Sequence, residues 1–159
     1  MNQSYKLLFL LLRAALLEEK IDASKFVEAD WKQILYISDI QTVSSLVLDG
    51  LGMLPHSVLQ IPFDKKMMLF AKMQRMEQIN TLHRCVIVKI DKALKEEGIQ
   101  AVFMKGQTVA LRYPNPLHRT PGDIDFVVAP EDFDRTMAVM EKIGKVDKGL
   151  IHEHHGMAW

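Results

Sequence analysis

Between Asp64 and Glu97 the sequence contains neither proline nor glycine, and this uninterrupted run constrains the fold more than any other feature. Met67, Phe70, Ala71, Met73, Met76, Ile79, Leu82, Val86, Ile90, Ala93 and Leu94 recur within it at the spacing of a single helical face. The spacing predicts one long helix, or two end to end, stopped by Gly98. At 1.5 Å per residue such a helix spans roughly 50 Å, longer than a compact domain of this size needs, so something must pack along it. The methionines on the seam are read as ordinary core rather than as an adaptable groove, because flexible thioethers fill irregular gaps wherever helices meet.

The full 159 residues correspond to about one domain at roughly 150 residues per domain. With 48% apolar and 25% charged residues, the chain is too apolar for intrinsic disorder and has no disulfide-scaffold or collagen signature. Twenty Lys plus Arg balance twenty Asp plus Glu, which removes any global pull toward nucleic acid or an acidic membrane. An anionic ligand must therefore be held by a local site. Cys85 is the single cysteine, so no internal disulfide forms, and a reduced, cytoplasmic protein is expected. Arg13 interrupts the apolar run Leu7 to Leu12. That run is too short for a signal peptide, which needs about 7 to 15 uninterrupted apolar residues, or for a membrane span of about 20. Leu7, Leu8, Leu11, Leu12, Ala15 and Leu16 instead predict an amphipathic helix.

A second helix is expected to open at Asp30, with Gln33 at the reciprocal capping position and Trp31, Ile34, Leu35 and Ile37 as its buried stripe. A third runs from about Ile40 to Leu48 and ends in Asp49, Gly50 and Gly52, and Leu54 to Pro62 is a connection. After Gly98 the pattern changes. Ile99 to Met104 reads as a buried strand, Gln107 to Tyr113 as a short helix after a glycine turn, and Pro114 to Gly122 as a rigid loop. Asp123 to Val128 is a second strand. Pro130 opens a helix with Glu131 and Asp132 in its first turn, which continues through Met137, Val139 and Met140 to Gly144. Leu150 to Trp159 alternates as a third strand. The order predicts a mixed α/β (α+β) fold: a helical N-terminal region over residues 1–98, then a small sheet with flanking helices over residues 99–159.

The chemistry concentrates in Gly122-Asp123-Ile124-Asp125-Phe126. Residues two apart on a strand share a face, so Asp123 and Asp125 lie side by side while Ile124, Phe126 and Val128 face the other way. Adjacent carboxylates repel unless a cation lies between them, and Mg²⁺ with oxygen ligands suits such a pair. Solvent-exposed strand-end carboxylates are the plain alternative. Upstream, Met104-Lys105-Gly106-Gln107-Thr108 places a glycine where a strand becomes a helix, offering backbone N–H groups to phosphate with the Lys105 charge beside them. Strand-to-helix turns use glycine routinely, so the turn gains weight only beside the acidic pair. His152 and His154 share a strand face and could hold zinc, but without the helical spacing of a zinc protease; histidines beside a polar cleft are the plainer reading. His56, His83 and His118 form no pattern.

Residues 103 to 128, from Phe103 through Lys105-Gly106 and the Tyr113-Pro114 loop with Arg119 to Asp123-Ile124-Asp125, resemble the core of the uncharacterised bacterial nucleotidyltransferases of the polymerase-beta-like superfamily. Asp30-Trp31 and the long helix also fit that family's N-terminal region. The resemblance implies that Gly106 and Gln107 occupy its phosphate turn and that Asp123 and Asp125 are the catalytic, metal-binding pair. Gln107 or Thr108 would replace the missing turn serine, and Lys105 would pair with either aspartate without metal. Arg119 is implied as a bidentate donor to the triphosphate, with hydrogen bonding to its own backbone carbonyls as the alternative. The superfamily completes its metal site from a later strand, where only Glu153 stands here, so the chain is expected to be truncated and inactive alone. The implied activity is Mg²⁺-dependent transfer of a nucleoside monophosphate from an NTP to a hydroxyl of a small molecule or protein. Zero net charge disfavours a nucleic-acid acceptor. The alternative is a catalytically inactive nucleotide-binding or antitoxin-like interaction protein, with the long helix docking a partner or a second copy.

Overall fold

Local capping explains where the N-terminal helices begin. In the computed structural model, which describes residues 2–144, the Asn2 side chain accepts a hydrogen bond from the Ser4 N–H at 3.1 Å and opens α1 (Gln3–Leu17). Asp30 likewise accepts from the Gln33 N–H at 3.0 Å and opens α2 (Trp31–Ile40), as its position in the sequence predicts. The third helix starts later than expected: α3 is Ser44–Gly52. Ile40 ends α2, and Thr42 takes a left-handed φ of 55°, which breaks the path between the two helices. The run without proline or glycine forms one helix, α4 (Phe63–Glu96), of 34 residues. Beyond it lie β1 (Val102–Met104), α5 (Gly106–Ala110), β2 (Asp125–Val127) and α6 (Phe133–Ile143), the last entered through a 3-10 turn at Pro130–Asp132. The expected strand over Leu150 to Trp159 lies outside the described residues.

The architecture is thus α+β and dominated by helix, with a two-stranded antiparallel sheet. No helix among the described residues is long and apolar enough to cross a membrane. The chain divides into two compact units, Met1–Glu77 with Tyr113–Thr120, and Gln78–Arg112 with Pro121–Trp159. The first is held by Leu7, Leu8 and Leu11 of α1, Trp31, Ile34 and Ile37 of α2, and Val47 and Leu51 of α3, with Phe26 stacked on Trp31 at a centroid distance of 5.7 Å. In the second, Ile90 and Leu94 of α4 pack with Ile99 and with Val139 and Met140 of α6.

The buried face of α4 follows the expected seam in part. Leu69, Asn80, Ile90 and Leu94 are buried, whereas Met67, Phe70 and Leu82 are 50%, 46% and 61% exposed. The inward line runs through Leu69, Met73, Met76, Asn80, His83, Ile90 and Leu94. Met73, Met76, Ile90 and Leu94 of the expected seam thus lie inward, and apolar spacing errs at Met67, Phe70, Ala71 and Leu82, which are exposed, and at the polar Asn80 and His83, which it passes over.

Candidate functional site

Each strand pairs over less of its length than its composition predicts, yet the register is what assembles the site. Val102 pairs with Val127, Phe103 with Phe126 and Met104 with Asp125. The turn that follows β1 and the acidic pair that opens β2 therefore lie at one end of the ladder. Ile124 is buried, Phe126 tilts against Phe103 with ring centroids 5.4 Å apart, and Asp123 and Asp125 take the alternate positions, exposed and half-buried. This is the facing that a two-residue period requires.

Lys105 stands at the bend with φ 52° and ψ −122°, a conformation that glycine adopts freely and a side chain adopts at a cost of about 1–3 kcal/mol. The Lys105 carbonyl accepts from the Thr108 hydroxyl and from the Val109 N–H, both at 2.8 Å, and these bonds close the turn. Its ammonium lies 3.4 Å from Asp125 Oδ1, the pairing expected from the sequence. The Asp123 carboxylate makes no hydrogen bond or ion pair among the described residues.

The side chains of Gln107 and Thr108 both have partners around the turn. The Gln107 amide donates to Asn80 Oδ1 at 3.1 Å, and Asn80 is buried within α4. Both side chains thus brace the turn. The backbone N–H groups of Gly106, Gln107 and Thr108 are those that a helix start leaves without intrahelical acceptors, and they are the turn's available donors. With five residues, and not reaching Tyr113 as expected, α5 contributes little dipole, so what the turn presents is the donors themselves and the Lys105 charge.

The donor set at the acidic pair is hard oxygen, from Asp125 at the start of β2 and Asp123 two residues before it. Mg²⁺ is held in this manner, by one or two carboxylates together with phosphate oxygens and waters, so Asp123 and Asp125 fit it. No cluster of three or more His, Cys, Asp or Glu residues able to hold a metal occurs among the described residues. Glu153, His152 and His154 lie outside them. Arg119 belongs to the first unit, where its guanidinium donates to the Thr120 carbonyl at 3.0 Å.

Sequence reasoning missed His118. Only 7% exposed, this ring reaches Asp49 of α3 from Nδ1 at 2.7 Å, and Glu77 of α4 from Nε2 at 2.9 Å, with the Asn115 amide also 2.9 Å from Nε2. Burial pushes the imidazole down, but the hydrogen bonds and charges of Asp49 and Glu77 outweigh it, and the pKa lies above its ordinary value. No local pattern signals a partner 69 residues away.

A family model described as uncharacterised nucleotidyltransferase matches residues 27–158. No curated protein and no solved structure matches the chain.

Proposed function

The chain belongs to the family of uncharacterised nucleotidyltransferases, and we propose that the Lys105-Gly106 turn and the Asp123–Asp125 pair form the NTP- and Mg²⁺-binding end of its transfer site. The reaction is movement of a nucleoside monophosphate from an NTP to a hydroxyl of a small molecule or a protein in the cytoplasm. The observation that carries the reading is the ion pair between Lys105 and Asp125, through which residues 20 apart in sequence meet at one end of the ladder.

Each part has a separate task. The N–H groups of Gly106, Gln107 and Thr108 donate to phosphate oxygens from fixed positions, because Asn80 and the Thr108 hydroxyl hold the turn in shape. Lys105 adds a positive charge on a stem fixed at its base by the strained backbone. Asp123 and Asp125 supply oxygen ligands. They would hold Mg²⁺, whose charge would offset the negative charge that builds on the phosphates during transfer.

Thermal melting with ATP, GTP, CTP and UTP, with and without Mg²⁺, tests the proposal. At a nucleotide concentration about 100-fold above Kd, binding stabilises the fold by about 2.7 kcal/mol, a shift of several degrees. The shift is expected for at least one nucleotide, only with Mg²⁺, and not in Asp123→Asn/Asp125→Asn. An unchanged melting curve for all four nucleotides overturns the reading. A Mg²⁺-dependent shift without pyrophosphate release from the full chain and any acceptor supports the inactive nucleotide-binding alternative.

A further inference from the structure

We infer that the first unit carries a second ligand site, built from other residues than the acidic pair, which takes a small organic anion with an apolar body such as a medium-chain acyl carboxylate. A cavity of about 500 Å³ opens between α2, the segment before α4 and the first turns of α4. Small-molecule sites typically enclose about 300–1,000 Å³, with mostly apolar walls and a few converging polar groups.

The floor is carbon. Trp31, Ile61 and Leu69 line it and are buried. The Trp31 ring is stacked on Phe26 on one side, and its Nε1–H donates to the Val58 carbonyl at 3.1 Å. Its polar atom is therefore satisfied inside the protein, and the ring offers the cavity only apolar surface. Tyr36 and Met68 also line the cavity, yet remain 61% and 51% exposed. Large apolar groups left open along a concave wall mark a surface that a ligand can cover with a gain in hydrophobic free energy.

The charges around this floor do not cancel locally. Lys32, Lys65 and Lys72 line the cavity together with Asp30 and Asp39. Both acids already have partners: Asp39 accepts from Lys72 at 2.7 Å and from the Ser44 hydroxyl at 2.5 Å, and Asp30 caps its own helix. Lys32 and Lys65 make no ion pair among the described residues. Two uncommitted ammonium groups beside an apolar floor complement one anionic head on an apolar tail. A nucleobase fits this floor poorly, since its edge donors and acceptors would be desolvated against carbon.

The test uses the full chain, decanoate as probe, decanol as its uncharged counterpart, and 1-anilinonaphthalene-8-sulfonate as fluorescent reporter. The reporter is expected to bind saturably and to be displaced by decanoate, with decanol at least about tenfold weaker. Lys32→Glu/Lys65→Glu is expected to weaken decanoate binding by about tenfold or more without moving the melting curve. If the double variant folds poorly, Lys65→Gln alone gives a smaller loss in the same direction. Asp123→Asn/Asp125→Asn is expected to bind decanoate as the wild type does, which separates this site from the proposed transfer site. Equal displacement by decanol, undiminished binding in the lysine variants, or no saturable binding each overturns the inference. So does reporter binding that falls as protein concentration rises at constant reporter-to-protein ratio, since a second copy of the chain would then be covering the rim.

Discussion

His118 Nδ1 lies 2.7 Å from a carboxylate oxygen of Asp49, and the opposite edge of the same ring meets Glu77 at 2.9 Å. Both ring nitrogens can donate to carboxylates only in the imidazolium form, which accords with the raised pKa. The folded-state pKa lies above the unfolded value of about 6.5, so the stabilisation is fully present below that pH and is lost as pH rises through the folded value. His118→Gln is expected to cost about 1–3 kcal/mol at pH 6. At pH 9 the difference from wild type shrinks. Urea denaturation of both proteins at the two pH values measures it, and an equal loss at both contradicts a cationic ring.

Gly50 sets the approach of α3 to α1. A Cβ at this position would lie 2.6 Å from the Leu11 carbonyl oxygen and 3.0 Å from the Leu11 carbonyl carbon and Cα, all backbone atoms in the middle of a packed helix. Gly50→Ala must push the helices apart and is expected to destabilise the protein by about 1–3 kcal/mol. Gly52 has open space around the same position. Gly52→Ala is therefore expected to leave stability within about 0.5 kcal/mol of wild type. Thermal melts of the pair, followed by circular dichroism, separate a steric contact from a general intolerance of alanine in α3.

What could be read from the sequence was mostly local. The Asp30 cap and the stop after Glu96 depend on a few consecutive residues, and the structure places them where expected, while Pro130 opens a 3-10 turn that leads into α6 at Phe133. The inward face of α4 was legible at Met73, Met76, Ile90 and Leu94 but not throughout, because Asn80 and His83 take positions that an apolar count assigns to solvent, while Phe70 and Leu82 stay exposed. The site divides along the same line. Asp123, Asp125, Lys105 and Gly106 stand out as residue types at a given spacing. The meeting of Lys105 with Asp125 depends on an antiparallel register that no local pattern specifies. The bracing role of Gln107 likewise depends on Asn80, 27 residues earlier and on a different element.

Asn80 is 1% exposed, and its Oδ1 is the acceptor for the Gln107 amide at 3.1 Å. Removing the acceptor leaves the Gln107 amide short of a partner in a partly buried setting, at an expected cost of about 1–3 kcal/mol for Asn80→Ala. Because the two side chains touch, Asn80→Ala and Gln107→Ala should be non-additive, with a coupling of about 0.5–1.5 kcal/mol in a double-mutant cycle. The same variants are expected to reduce the Mg²⁺-dependent shift given by NTP, since the turn loses its brace. Full additivity together with an undiminished shift removes Asn80 from the support of the turn.

Lys105 combines a strained backbone with a weakly held side chain, so stability and nucleotide binding should respond in opposite directions there. At φ 52° and ψ −122° a residue with a Cβ carries about 1–3 kcal/mol of strain. The ammonium, 70% exposed and 3.4 Å from Asp125, returns only about 0–1 kcal/mol. Lys105→Gly relieves the strain, and part of that gain is offset by about 0.4–1 kcal/mol of added freedom in the unfolded chain. A net stabilisation of about 1 kcal/mol is expected. Lys105→Ala keeps the strain and loses only the ammonium, so its stability should stay close to that of wild type. Both variants lose the charge beside the proposed phosphate turn, and both are expected to bind NTP with Mg²⁺ about tenfold less tightly. Urea melts and nucleotide titrations on the three proteins read the two effects separately. If glycine and alanine lower stability alike, the turn is not strained; if both bind NTP as the wild type does, Lys105 takes no part in holding the nucleotide.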